Sequence, residues 1–262
     1  MPSRGELLRA GFDADAYVAH DLDWYDGSIR GMDAEIGRLI ERLRALGLAE
    51  RTLVVFTGDH GEEFLEHGRT FHGQTTYGEL ADVPLILWGP GRVPKGVVVE
   101  ETVQVLDLMP TLLEMSRLSV PEGIQGRSLL PLLQGSAVGT GAPPGWRERP
   151  AITEKAATSE DVGAPPPRDT ESVAIVAGGF KLIHNVRRQG GRPEYELYDH
   201  RKDPLDRTDV AAQHPEDVRR LARELDAWRR KALAARLKPD SAASGQFSRE
   251  ELARLRSLGY IQ

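Results

Sequence analysis

The chain has no cysteine among its 262 residues. Disulfides, thiolate metal sites and a cysteine nucleophile are therefore excluded within them. It also has no excess of positive charge. Lys and Arg number 34 against 40 Asp and Glu, for a formal net charge of -6. This balance argues against nucleic acid as the main partner, because phosphate backbones are held by clustered cations. No apolar run approaches the roughly 18 to 20 residues of a membrane-spanning helix. The first segment, MPSRGELLRAGFDADAY, carries no apolar h-region of the signal-peptide kind. The compartment is left open by these observations. What remains is ordinary globular composition, 40% hydrophobic and 28% charged, enough to bury a core in one large domain or two small ones.

Hydrophobic spacing then divides the chain. Residues 1–18 read as a lead-in, a loop with a short helix. Over 24–47, Ile29, Met32, Ile36, Leu39, Ile40, Leu43 and Leu46 recur at three- and four-residue steps, which predicts an amphipathic helix. Gly47 is a suitable stop. Residues 52–57 (TLVVFT) and 83–88 (VPLILW) are short, nearly all-apolar runs. They suit strands buried on both faces of a parallel sheet. Residues 97–105 suggest a third, edge-like strand. A helix is expected over 107–115, with Asp107 near its N-cap and Pro110 in the first turn. Residues 136–170 read as a loop and linker region, rich in Gly, Ala and Pro, with one short strand near Ala151. From 171 onward, short strands at 172–176, 180–185 and 194–198 suggest a small antiparallel sheet. It is followed by an amphipathic helix over 215–237 and a polar tail in which Ser248 and Glu251 form a capping-box pattern. The fold class is thus α/β, a mainly parallel central sheet flanked by helices, with a small antiparallel C-terminal sheet and helix. The expected division is 1–135, 136–170 and 171–262.

Chemistry concentrates just after the first of these strands. In α/β sheets ligands gather at the carboxyl ends of strands, and there stands Gly58-Asp59-His60-Gly61. An adjacent carboxylate and imidazole can both reach a divalent cation. The same four residues also suit an ordinary polar turn. His67 and His72 follow within a few residues, and imidazoles can protonate a leaving group or donate to an oxyanion. The acidic run Glu62, Glu63 and Glu66 reads as a solvated face. His200 and Asp203 read as structural.

These residues fall in a recognisable series. Residues 25–33 (YDGSIRGMD), the run from Leu46 through Gly58-Asp59-His60-Gly61-Glu62, then Glu66-His67-Gly68, Tyr77-Gly78-Glu79 and 83–91 resemble the second half of the catalytic domain of the sulfatase family, in the alkaline phosphatase superfamily. Residues 105–112, 126–129, 196–199 with Asp203-Pro204, and the tail at 255–261 continue the likeness. The resemblance implies a divalent metal, usually calcium, held by Asp59 and by His60. A nitrogen ligand at 60 leaves room for manganese, magnesium or zinc, since calcium prefers oxygen. It implies that His67 and His72 lie near the sulfate. It implies hydrolysis of a sulfate ester, of a small molecule or a glycan. The family's nucleophile is a formylglycine made in a Cys/Ser-x-Pro-x-Arg motif, and none of the 262 residues supplies that motif. The expectation is therefore a chain corresponding to the C-terminal half of such an enzyme, an incomplete alkaline-phosphatase-like core that is inactive alone and partnered by a missing N-terminal half. Two alternatives stay open. One is a phosphodiester or phosphonate hydrolase of the same superfamily; the other is a non-catalytic interaction module.

Overall fold

The computed structural model describes residues 2–73, 75–135, 142–156, 170–186 and 191–235, with 248, 251 and 254. A short helix α1 (Arg4–Arg9) opens the chain, closed at its start by a reciprocal capping box between Ser3 and Glu6. Helix α2 runs Ala14–Ala45, ten residues earlier than the apolar period suggested. Its start is set by a cap rather than by hydrophobic spacing: Asp13 accepts the backbone N–H groups of Asp15 and Ala16. Gly47, in the left-handed region at φ 67°, follows its end.

The stripe of α2 is largely uncovered. Trp24 is 69% exposed and Met32 45%, with Ile29 and Leu39 also open to solvent. Strand β1 (Val54–Thr57) is half-buried at every position. It pairs with β4 (Leu85–Trp88) antiparallel, Val54 opposite Trp88 and Thr57 opposite Leu85. The mainly parallel central sheet expected from these apolar runs is therefore not formed among the described residues. Residues 97–104 form no strand, and the segment passes instead into a single 3-10 turn at Val105–Asp107. An apolar run becomes a strand only where a neighbour offers a ladder, and none is offered here.

Between β1 and β4 lies a short hairpin, β2 (Glu63–Phe64) against β3 (Thr70–Phe71), and a one-turn helix α3 (Gly78–Ala81). Helix α4 (Leu108–Met115) begins after Asp107 as expected, but that carboxylate does not cap it. It is buried and spent on the backbone N–H groups of Gln104 and Arg127 and on the guanidinium of Arg149. Helix α5 (Leu130–Gly135) buries Leu132 and Leu133.

The C-terminal part is a four-stranded antiparallel sheet in sequence order, β5 (Ala151–Ala156), β6 (Thr170–Ala177), β7 (Phe180–Asn185) and β8 (Tyr195–Asp199). The strand near Ala151 is thus an edge of this sheet and not an isolated piece of linker. The two-residue period sorts its faces. Val173, Ile175, Leu182 and Leu197 pack with Leu221 and Leu225 of helix α6 (Pro215–Ala234). Ala174, Ile183 and Tyr198 meet Tyr77 on the opposite face. The sheet is therefore held between α6 and the segment leading into α3. The Ser248–Glu251 capping pattern is present, while the tail at 255–261 lies outside the described residues.

Candidate active site

Strand β1 delivers its polar terminus to a fixed place because the next turn has no room to move. A side chain at Gly61 would put its Cβ 2.0 Å from the Glu79 carbonyl oxygen. The Gly61 N–H donates to the Leu80 carbonyl at 3.0 Å. Glycine is needed there for close approach, not for an unusual φ. Just before it, Asp59 accepts the His60 N–H at 3.1 Å and is otherwise open, its side chain 92% exposed. The His60 ring places Nδ1 2.8 Å from the Gly61 carbonyl oxygen. A carbonyl only accepts, so Nδ1 carries a proton and Nε2 is the nitrogen through which the ring could ligate a cation. That Nε2 lies 3.8 Å from Asp59 Oδ1.

His72 joins them from the far side of the hairpin. Its ring centre is 4.1 Å from that of His60. Its Nδ1 is 3.0 Å from Glu62 Oε1, so the carboxylate fixes the ring and turns Nε2 away from Glu62. Phe71, immediately before it, sits at φ 67°, a conformation an L-residue adopts only when its surroundings impose it. Asp59, His60 and His72 line a cleft of about 870 Å³ whose lining also includes Glu154 and Lys155 of β5 and His200, just after β8. Lys155 is ion-paired with Glu171, and burial lowers its pKa.

His67 lies elsewhere. It occupies the hairpin tip, its side chain 14% exposed. Nδ1 is 2.7 Å from Glu79 Oε1 and Nε2 is 2.8 Å from the Asp206 carbonyl oxygen. The ring stacks on Tyr77 at 3.6 Å with 12° between planes. Burial works against the imidazolium, but the bonds to Glu79 and Asp206 and the charges of Glu79 and Glu63 prevail, and its pKa is raised. Both ring nitrogens of this histidine, which the family resemblance sets near the sulfate, are engaged by partners within the fold.

Around it runs a buried polar seam. Lys181 Nζ meets Asp206 Oδ2 at 2.6 Å, both side chains buried. His200 stands 3.4 Å from Asp82 and 3.5 Å from Asp206. Tyr77 donates to Glu196 at 2.7 Å, and burial pushes its phenol above its ordinary pKa. Gly78 runs against the Pro204 carbonyl oxygen, which a Cβ would meet at 1.8 Å. Of the residues the sequence singles out, Asp59, His60 and His72 come together at the cleft and His67 does not; Glu62, Glu79, Lys181 and Asp206 are not among those it singles out. Spacing gave a signal only for Glu62, ten residues from its partner; Asp206 is 139 residues from His67. Among the described residues no group of three or more His, Asp or Glu side chains is placed to hold a metal ion. The Asp59 carboxylate and His60 Nε2 offer two donors that fit part of such a site.

The family described as Sulfatase matches residues 7–117. Arylsulfatase K of Xenopus laevis is 32% identical over 198 residues, covering 74% of this chain and 34% of that protein; the chain thus spans about a third of the relative's length. Among solved structures, the phosphonate monoester hydrolase of Silicibacter pomeroyi superposes with a TM-score of 0.60 at 31% identity, over 76% of this chain and 38% of that one. A protein solved with its substrate D-glucosamine-2-N,6-O-disulfate superposes with a TM-score of 0.61 at 23% identity, over 86% and 52%, a likeness of fold. On these matches the chain belongs to the sulfatase family.

Proposed function

We propose that this chain carries part of the centre of a metal-dependent sulfuric ester hydrolase acting on a sulfated small molecule or glycan. The observation that supports this most is the convergence of Asp59, His60 and His72 on one cleft, with His60 Nε2 uncommitted and His72 braced by Glu62. Asp59 and His60 would hold the cation. When bound, a divalent cation supplies Lewis-acid polarisation of the ester's anionic oxygens. His72 stands to give a proton from Nε2 to the leaving alcohol oxygen, with Glu62 stabilising the charged ring. The nucleophile would come from residues beyond these 262, because none of them forms a Cys/Ser-x-Pro-x-Arg motif. The uncovered stripe of α2 and the half-buried β1–β4 pair are apolar surface for that part to cover.

A second reading has its own support. His60 puts nitrogen where calcium would favour oxygen, and the phosphonate monoester hydrolase is a relative at 31% identity. The reaction would then be hydrolysis of a phosphonate or phosphodiester with the same residues in the same roles.

Calorimetric titration of the chain with calcium and with manganese tests the metal ligands. Weak binding is expected, lost in Asp59→Ala. Equal heats from wild type and variant would remove Asp59 from the site. Turnover of a chromogenic aryl sulfate by the purified chain would place the nucleophile inside these residues and overturn that part of the reading. Supplying the missing part and comparing aryl sulfate with aryl phosphonate separates the two chemistries.

A further inference from the structure

The hairpin spanning 62–72 has its two functional groups at one end and His67 at the other. Glu62 and His72 face each other across its base at 3.0 Å. At its tip, Glu63 Oε1 accepts the backbone N–H groups of His67 and Arg69 at 3.1 and 2.8 Å and closes the loop. The tip itself is fastened to two other elements. Glu79, entering from α3, and the Asp206 carbonyl, from the loop after β8, each take one His67 nitrogen. Tyr77 stacks beneath the ring and is in turn tied to Glu196 of β8.

We propose that His67 is a positioning residue: a doubly donating clamp that fastens the hairpin tip to the C-terminal sheet and so fixes the Glu62–His72 pair at the hairpin base against the cleft. A carbonyl oxygen only accepts, and a carboxylate only accepts, so both ring nitrogens donate and the ring is an imidazolium. Charge-assisted bonds of this kind hold geometry better than neutral ones. The groups facing the ring are Glu79 from α3, Glu63 from β2, the Asp206 carbonyl and the Tyr77 face, with Arg192 5.3 Å over the same tyrosine. The anionic partners outnumber the cationic one, which favours retention of the proton. Beneath the clamp the Lys181–Asp206 pair holds the acceptor loop itself. The C-terminal sheet is thereby a support of the site as well as part of the cleft's lining. The claim concerns how the hairpin is held and stands whether the substrate is a sulfate or a phosphonate.

The test is nitrogen-15 spectroscopy of the histidine-labelled 262-residue chain near pH 8, above the ordinary imidazole pKa of about 6.5. His67 is assigned by its loss in His67→Gln. Two protonated ring nitrogens on His67 are expected in wild type, and one in Glu79→Gln. In both variants the His72 Nδ1–H signal should be lost through exchange as the hairpin base loosens, while His214, at the start of α6, keeps its signals. A bare nitrogen on His67 in wild type overturns the clamp. An unchanged His72 signal in a folded Glu79→Gln chain overturns the positioning role. Should His67→Gln fail to fold, Glu79→Gln decides, because it leaves the ring in place and removes only the charge that holds its second proton.

Discussion

At the scale of single residues, the sharpest constraint on the site is a glycine that has no room for a methyl group. Gly61 and Gly27 look alike in sequence, yet their surroundings differ completely. A Cβ at Gly61 would collide with the Glu79 carbonyl, whereas at Gly27, inside α2, it meets nothing within 4 Å. Gly61→Ala should cost about 1–3 kcal/mol through overpacking. Gly27→Ala should gain about 0.4–1 kcal/mol by restricting the unfolded chain and favouring helix. Urea unfolding of the two variants checks both signs; equal effects would mean that the Asp-His turn is not pinned against α3. The same contrast marks what could be read beforehand. Asp59, His60 and His72 stand close together in sequence after an apolar strand, and their type and place announced them. Glu79 and Asp206 did not, because a hydrogen bond to a residue 12 or 139 positions away leaves no local periodicity. His67 could be singled out as a histidine of the cluster, but its partners Glu79 and Asp206 could not.

At the scale of elements, periodicity served where a partner was present in the described residues and failed where it was not. Strands β6 to β8 and helix α6 fall close to their expected bounds because each has its neighbour. The apolar runs at 54–57 and 85–88 became strands but found only each other, and the run at 97–105 found none. Leu182 and Met32 express the difference. Leu182 is wholly buried between the sheet and α6, while Met32 is 45% exposed on α2. Leu182→Ala should cost about 2–5 kcal/mol. Met32→Lys should change the stability of this chain, read from its urea midpoint, by less than about 0.5 kcal/mol. A large destabilisation by Met32→Lys would show that the stripe is covered in solution.

At the scale of the whole molecule, the buried ionisable groups set an unusual dependence of stability on pH. Burial raises the pKa of the Glu63 carboxyl, opposed by the N–H groups of Arg69 and His67. Partial burial likewise raises that of Asp82, whose side chain is 47% exposed so that its share is discounted by solvent, against the attraction of Lys181 and His200. His67 is raised too, its bonds and acidic neighbours outweighing its burial. All three shifts have one sign: the folded chain binds more protons than the unfolded chain. Stability therefore falls as pH rises through each interval between unfolded and folded pKa. For Glu63 and Asp82 the fall begins near their ordinary values, 4.5 and 3.8. For His67 the contribution is complete below 6.5 and is lost as pH climbs through the raised folded value. The exposed carboxylates with lowered pKa, Glu6, Asp15 and Asp199, push the other way at more acidic pH but are screened by solvent. The urea midpoint should accordingly be highest at mildly acid pH and decline through neutrality. In His67→Gln the part of that decline above about pH 6.5 should flatten, because the variant has no proton to lose there. A midpoint that rises from pH 6 to 8 in wild type would mean that the seam between the hairpin and the C-terminal sheet is open to water, and with it the clamp on the site.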